Sequence, residues 1–315
     1  MMTWWTSARL LRLLLGGLAL ATGLSFLGPW AWLLDILADF RVPYAVAAAC
    51  LLLAALILKR GPAMALAAVL LAINGFTLAP YFDMASDDQA PLKVIHFNLN
   101  LHNKDTDATL DYLRRENADV VVVLEMTDAW RQALDTLSDI YAHRFFPPFC
   151  KCLNPKRLGL GIGILAKRAW EDAGVVNSEA TNRTLAAWVR FPAASPSLTV
   201  AGVHMSAPFI QPAGYQEIEI DSLASMVKKI NGPVIMAGDF NMTPFSARYG
   251  ALLRKSGLRR AGGGLNASWP SVLAPLGLPI DHMLVGPGIA RAVMQTGPQL
   301  GSDHLPVVGN FVLGH

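Results

Sequence analysis

The chain is 315 residues long, 53% hydrophobic and only 16% charged, with a formal net charge of +3. Soluble domains carry about a quarter charged residues, so part of this chain is built for a medium other than water. Disorder, a collagen-like repeat and a disulfide scaffold are excluded: the composition is apolar, the 26 glycines have no period, and there are only 3 cysteines.

The apolar excess lies in residues 1–90, which hold five basic residues (Arg9, Arg12, Arg41, Lys59, Arg60) and five acids (Asp35, Asp39, Asp83, Asp87, Asp88). The other 21 basic and 18 acidic residues give 91–315 an ordinary charge density, so a boundary is expected near Pro91. Leu13–Leu34, Val42–Leu58 and Gly61–Phe82 are uncharged runs of 22, 17 and 22 residues. A bilayer core needs roughly 20 helical residues, which predicts three transmembrane helices at about 13–34, 42–58 and 61–82. The short middle run is flanked by Arg41 and Lys59, which can snorkel, and Trp30, Trp32, Tyr44 and Tyr81 sit near run ends, where aromatic rings favour the interface. Arg9, Arg12 and Ala19-Leu20-Ala21 look like a cleaved signal peptide, but the apolar run continues past Ala21, which favours an uncleaved span. Arg9, Arg12 and Lys59-Arg60 place the N-terminus inside and residues 91–315 outside. In a bacterium the expected location is therefore the inner (plasma) membrane, multi-pass, with the second domain on the periplasmic or extracellular side. The bilayer is the expected partner, and no protein partner is evident.

The cysteines carry little. Cys50 falls in the second run as a small apolar filler. Cys150 and Cys152 flank Lys151 in a proline-rich loop, too close for a relaxed disulfide and without further soft metal ligands, so incidental thiols are favoured over a vicinal-type disulfide.

Residues 91–315 read as one α/β domain. Leu92–Asn98 alternates like a strand, Asp105–Asn117 has helical spacing with Asp105 or Thr106 as N-cap, and Asp119–Glu125 contains a buried valine strand. Thr127–Leu137 is predicted helical and Gly159–Leu165 a strand; Thr184–Phe191 and Leu198–His204 form a hairpin pair. Tyr215–Ile230 is an amphipathic helix leading into strand Pro233–Ala237, followed by helix Ala247–Leu258 and strands Met283–Val285, Ala290–Met294 and Pro306–Leu313. Early alternation with hairpins in the middle predicts a mixed sheet.

The polar residues gather at strand ends. Asn98, Glu125 and His204 end strands, Asp239 and Asn241 follow one, Asp281-His282 precede one, and Ser302-Asp303-His304 precede the last. Singly, each has a plainer reading: a glutamate marking a strand's exit into solvent, a Gly-Asp turn, a packed core histidine, two capped Asp-His turns. Jointly those readings fail, because the same placement recurs five times, and strand ends are where α/β sheets assemble ligand sites. A carboxamide, carboxylates and imidazoles there suit a hard divalent cation and phosphate chemistry.

Five ordered segments carry a resemblance: His96-Phe97-Asn98-Leu99-Asn100, Val123-Leu124-Glu125, Gly238-Asp239-Phe240-Asn241, Pro279-Ile280-Asp281-His282 and Gly301-Ser302-Asp303-His304-Leu305-Pro306-Val307. They resemble the signature motifs of the endonuclease/exonuclease/phosphatase superfamily, which includes deoxyribonuclease-like and abasic-site endonucleases, inositol polyphosphate phosphatases and neutral sphingomyelinases. The resemblance implies a four-layer α/β sandwich with two packed mixed sheets, here preceded by a bundle of three transmembrane helices as in membrane-anchored bacterial members. It implies that Asn98 and Glu125 bind Mg²⁺, with Mn²⁺ as the alternative, and that Asp303 helps directly or through water. It further implies that His304, oriented by Asp281, activates water or holds the phosphate, with Asp239 the competing general base. Asn241 would hydrogen-bond the pentacoordinate phosphorus group, and His204 would protonate the leaving oxygen. Leu124 stands where Gln is common, Asn100 where many nucleases have Asp, and His204-Met205-Ser206 is followed by a less proline-rich stretch than in related anchored members.

These expectations describe a membrane-anchored Mg²⁺-dependent phosphoester hydrolase, a phosphodiesterase or nuclease or a phosphatase, acting on the outer face of the membrane. Nucleic acid, nucleotide and lipid head group are the candidate substrates. The alternatives are a phospholipid head-group hydrolase of sphingomyelinase type and a catalytically silent membrane-anchored binding protein. A dedicated DNA binder shows a strongly basic face, whereas the bases here cluster only as Lys151, Lys156 and Arg157 in one loop and Arg254, Lys255, Arg259 and Arg260 in another.

Overall fold

The computed structural model describes residues 2–82, 90–148, 161–192, 197–208 and 214–314. Asp83, Asp87, Asp88, Cys150, Lys151, Cys152, Lys156 and Arg157, invoked above, lie outside them. The chain divides into two compact units, residues 1–82 with 242–250, and residues 83–241 with 251–315.

The first unit is built from helices α1 (Met2–Ser25), α2 (Trp32–Ala38), α3 (Arg41–Ile57) and α4 (Gly61–Leu78). Two helical stretches, Ser7–Ser25 and Gly61–Tyr81, are long and apolar enough to cross a bilayer. The expected third is a broken pair: α2 and α3 meet at 58° and count as one span only if taken together. The first expected run, 13–34, is likewise not one helix. α1 stops at Ser25, and a short 3₁₀ turn at Gly28–Trp30 intervenes before α2. Pro29 lies in that turn, where its missing N–H costs nothing. Leu11, Leu15, Ala48, Ala55, Ala67 and Leu70 fill the space between helices, with small alanines allowing close approach. Leu13, Leu20, Leu53, Ile57, Val69 and Phe76 point outward.

Arg41 does not snorkel. It is buried, its Nη1 donates to Asn74 Oδ1 at 3.2 Å, and Asn74 Nδ2 donates to Thr22 Oγ1 at 3.2 Å. Polar groups among apolar helices must find partners with one another, and this chain ties α1, α3 and α4 together. Asp35 and Asp39 are also buried. Asp39 Oδ1 accepts from Thr243 N at 3.1 Å and Thr243 Oγ1 at 2.6 Å, while Asp35 accepts from Ser246 Oγ at 2.7 Å and Ala247 N at 2.6 Å. Asp35 thereby satisfies an N–H at the start of the helix beginning at Ala247, where a negative charge is favoured.

The second unit runs β1 (Leu92–Asn98), α5 (Thr106–Glu116), β2 (Val120–Met126), α6 (Asp128–Asp135), β3 (His143–Phe145), β4 (Gly161–Ala166), β5 (Asp172–Asn177), β6 (Thr184–Phe191), β7 (Leu198–His204), α7 (Tyr215–Lys228), β8 (Val234–Asp239), α8 (Ala247–Ser256), β9 (Arg259–Arg260), β10 (Asp281–Val285), β11 (Ile289–Thr296) and β12 (Val307–Leu313), with the first turn of α8 belonging to the first unit. β1, β6 and β7 coincide with their expected spans. β3, β5 and β9 escaped the sequence reading: two are very short, and β5 is an edge strand with no buried residue and no apolar alternation to find. Asp281-His282, expected ahead of a strand, open it instead. Asp105 caps α5 by accepting from Ala108 N, and Asn117 closes it in the left-handed region.

Two six-stranded mixed sheets result, in the orders β11-β12-β1-β2-β4-β3 and β5-β6-β7-β8-β10-β9. The pairs β1–β2 and β7–β8 are parallel and the rest antiparallel. Side-chain alternation decides what each face meets. Val94, Val122 and Ile164 of the first sheet cluster with Val200, Ile235 and Met283 of the second, forming the core between sheets. Ile95, Phe97 and Val121 point the other way, packing with Leu113 of α5 and Trp130 and Leu134 of α6. The sheets approach closely at Gly202, where a Cβ would meet Val122 and Ile162.

Gly238 is the second enforced glycine: a Cβ there would collide with the backbone carbonyl of Val203 on the neighbouring β7. Gly238→Ala is expected to cost about 3 kcal/mol of stability, read as a lower melting midpoint; an unchanged midpoint would show that the strand relaxes freely.

Candidate active site

The inward-facing positions of several strands end at one rim of the second unit. On β1, Val94 faces the inter-sheet core, so His96 and Asn98 at two-residue intervals face the same gap. On β7, β8 and β10 the same parity applies: Val200 predicts His204, Ile235 and Ala237 predict Asp239, and Met283 predicts Asp281. Register then brings them level. Asp239 pairs with Asp281 across the antiparallel β8–β10 ladder and with His204 across the parallel β7–β8 ladder. β12 runs antiparallel to β1, with Val307 opposite His96, so the 302–304 loop that precedes it reaches the same rim.

Glu125 obeys a different rule. Val122 and Leu124 face inward, and strict alternation would turn residue 125 away. The β2–β4 register shifts between Val123 and Met126, and Glu125 adopts φ +54°, a left-handed conformation that a residue with a side chain takes at some cost. The phase of β2 resets there, so Met126 joins the outer core and Glu125 turns to the site. Asn241 is likewise left-handed, at φ +51°.

Asn98 sits at the centre. Its Nδ2 donates to Glu125 Oε1 at 3.2 Å and Asp239 Oδ2 at 3.3 Å, and lies 3.5 Å from His304 Nε2. His204 Nε2 is 3.9 Å from both Glu125 Oε1 and Asp239 Oδ2, and His304 Nε2 is 3.8 Å from Asp239 Oδ2. Asp281 Oδ2 holds His304 Nδ1 at 2.8 Å. Six predicted residues, Asn98, Glu125, His204, Asp239, Asp281 and His304, therefore share one cluster. Asn241 adjoins it: its N donates to Asp239 Oδ1 at 2.9 Å, and its Nδ2 donates to Met205 O at 2.9 Å. Asp303 lies exposed at the rim with both oxygens engaged, Oδ1 by Asn100 Nδ2 at 2.7 Å and Oδ2 by Trp269 Nε1 at 3.1 Å.

His96, Asn100, Trp269 and Ser302 were not among the residues singled out for the site. His96 Nε2 bonds Asp281 Oδ1 at 2.8 Å, fully buried, so Asp281 is held between two imidazoles. The parity that placed Asn98 also placed His96, and that signal was available. Trp269 carried no such signal, because it reaches Asp303 from a loop distant in sequence. Ser302 Oγ donates to Asn98 O at 2.7 Å and locks the two segments together.

Burial opposes the charges here, and neighbours decide which survive. Burial pushes Asp239 up to about 7, with the nearby Asp281 charge adding to the effect. Burial resists ionisation of Asp281 too, but the His304 charge and the hydrogen bonds from both histidines hold it well below the usual carboxylate range. Burial disfavours a charged His304, yet Asp281, with Asp239 and Asp303, pushes it up to about 10. Burial, helped by the Arg183 charge, keeps His204 well below the ordinary histidine value. At neutral pH His304 is an imidazolium and His204 a neutral ring.

The donor set fits a hard divalent cation. Asp239, Asp281 and His304 offer ligand atoms within 4.8 Å of one another. Asp281 and the charged His304 are committed to each other, which leaves the Glu125 and Asp239 carboxylates as oxygen donors; the Asn98 Oδ1 accepts from Asn100 N at 3.1 Å and would join them with the carboxamide turned over.

A family model described as the endonuclease/exonuclease/phosphatase family matches residues 95–304, from β1 to the last histidine of the site. The chain belongs to this family. Its fold resembles an endonuclease/exonuclease/phosphatase from Beutenbergia cavernae at 18% identity and TM-score 0.54, covering 71% of this chain and 72% of that one. It resembles beta toxin from Staphylococcus aureus at 15% identity and TM-score 0.55, covering 69% and 99%. It also resembles D. rerio TDP2 complexed with a single-strand DNA product, at 15% identity and TM-score 0.53, covering 70% and 98%. No curated protein matches the chain by sequence.

Asp239 yields a pH prediction. Its folded pKa is raised from 3.8 to about 7, so the stability it contributes is complete below pH 3.8 and lost as pH rises through 7. With chelator present, Asp239→Asn is expected to raise the melting midpoint at pH 8 and to raise it less at pH 5. A lower midpoint at pH 8 would contradict the assigned strain.

Proposed function

We propose that this chain is a membrane-anchored, Mg²⁺-dependent phosphoester hydrolase. One observation carries the reading: the carboxylates of Glu125 and Asp239, bridged by the Asn98 amide, lie against a pinned imidazolium and a neutral histidine. Asn98 and Glu125 would hold the ion, with Asp303 supporting it directly or through water, and Mn²⁺ is the alternative. When bound, Mg²⁺ polarises the phosphoryl group and offsets its developing charge.

His304 is charged and fixed by Asp281, so it is a poor proton acceptor and a good partner for a phosphate oxygen. Asp239, raised to about 7, is the better general base: it takes a proton from the attacking water at the atom facing His304. His204, neutral and 3.9 Å from Asp239, presents a ring N–H to the leaving oxygen. Asn241 has its amide nitrogen on Met205 O, which fixes the orientation of its side chain toward the phosphorus group. The helices of the first unit support an anchor, and the distribution of basic residues supports an outer-face, periplasmic location in a bacterial inner membrane.

A lipid head group is the second reading of the substrate. Val272-Leu273-Ala274-Pro275-Leu276 is an unbroken exposed apolar run. Residue Ser271 at its start donates its N–H to Asp303 O at 2.7 Å, beside the site. Exposed apolar patches of this kind mark lipid or protein contacts. The same loop would contribute nothing to a nucleic-acid substrate, which needs positive charge.

The test uses full-length protein in nanodiscs with Mg²⁺ against plasmid DNA, a generic phosphodiester, a phosphomonoester and phospholipid. Chelation should abolish turnover, and Asp239→Asn or His304→Ala should lower kcat about 10²–10⁴-fold. Turnover in Glu125→Ala that persists with chelator present would reject the metal assignment, and a silent wild type would leave the binding-protein reading.

A C-terminal reporter should be active only in the exported compartment; a cytosolic signal would overturn the orientation.

A further inference from the structure

Helix α7 buries a charge that the proposed chemistry does not use. Glu219 is fully buried, a rare state for a glutamate without a committed partner. Both of its oxygens serve one residue: Ser206 N–H donates to Oε2 at 2.8 Å, and Ser206 Oγ donates to Oε1 at 2.8 Å. Arg183, preceding β6, lies 3.8 Å from Glu219 Oε1, and its Nη2 donates to His204 O at 3.0 Å and Ser206 Oγ at 3.3 Å. Gln216, one turn before Glu219, donates to Ser206 O at 2.8 Å and Asn241 O at 3.3 Å. The carbonyl of His204 and the N–H, hydroxyl and carbonyl of Ser206 are thus all held from outside β7.

Stability does not explain this network. A buried ion pair is costly to desolvate, and well-packed apolar residues in its place are often as stable or more so. What the pair does, and apolar side chains cannot, is aim peptide groups. The groups it aims flank the one histidine of the site that has no carboxylate clamped to its ring within hydrogen-bonding distance: the nearest acids stand 3.9 Å from His204 Nε2, against 2.8 Å for His96 and His304. His96 and His304 are oriented through their rings by Asp281, whereas His204 is oriented through its backbone.

We infer that Glu219, assisted by Arg183 and Gln216, is a positioning residue that holds His204 in the site through the Ser206 turn. The kinetic readout of this inference rests on the hydrolase reading; its structural readout does not. With full-length protein in nanodiscs, Glu219→Ala is expected to lower kcat about 10- to 100-fold while KM moves less than about threefold. Glu219→Gln, whose amide oxygen still accepts from Ser206 N–H, should recover most of the loss.

In a His204→Ala background, Glu219→Ala should cost less than about threefold more, because residues acting as a unit are not additive. Equal losses in both backgrounds, or a lower melting midpoint with kcat intact, would overturn the inference. Should Glu219→Ala fail to fold, the same cycle is run with Ser206→Ala, where a smaller non-additive loss is expected and additivity overturns it. Amide hydrogen exchange separates the two readings. If the wild type turns over no phosphoester, the hydrolase reading falls. Positioning then stands if Glu219→Ala accelerates exchange at the Ser206 amide and Glu219→Gln restores its protection, and falls if that amide stays equally protected in Glu219→Ala.

Discussion

A single carboxylate joins the two sheets where it matters most. Asp281 opens β10 in the second sheet, takes His96 of β1 in the first sheet on one oxygen, and takes His304 on the other. At 2.8 Å and without solvent, neither contact tolerates much displacement, so the gap between the sheets and the position of His304 are set together. Asn98 lies two residues beyond His96 on the same strand, and Asp239 lies opposite Asp281 in the β8–β10 ladder. The geometry around the candidate metal position follows from that clamp.

The clamp also sorts charge. By committing Asp281 to the ionised state it keeps His304 charged, and its repulsion adds to the burial that raises Asp239 to about 7. Two buried carboxylates in one cavity end with opposite behaviour, one always an anion and one near half-titration at neutral pH. That separation is how a site with similar groups obtains both a fixed electrostatic partner and a proton acceptor. Its cost is local instability, concentrated where Glu125 and Asn241 also hold left-handed backbone.

Much of this was legible in the chain. The valine run of β2, the alternation of β1 and β7 and the capping of α5 are local signals, and local signals survive into the fold because burial enforces them. Where a local signal was absent, as on β5, or broken, as at Gly28-Pro29, the reading failed. Composition read 42–58 as a span of its own; it could not see that α3 qualifies only together with α2, from which it is bent by 58°. Arg41 was read as a flank facing water because a charge next to an apolar run is cheapest there; Asn74, 33 residues away, supplies a buried alternative.

By itself the sequence singled out Asn98, Glu125, His204, Asp239, Asp281 and His304 and placed them at strand ends, because hydrophobic period and residue type are properties of short segments. Only the tertiary structure decided that Glu125 turns inward against the alternation of its strand, that His96 shares Asp281 with His304, and that Glu219 braces the turn after His204. Each depends on pairing between segments 13 to 185 positions apart, such as Ser206 with Glu219 and His96 with Asp281, and the energy of such pairs lies in distances that no one-dimensional pattern contains.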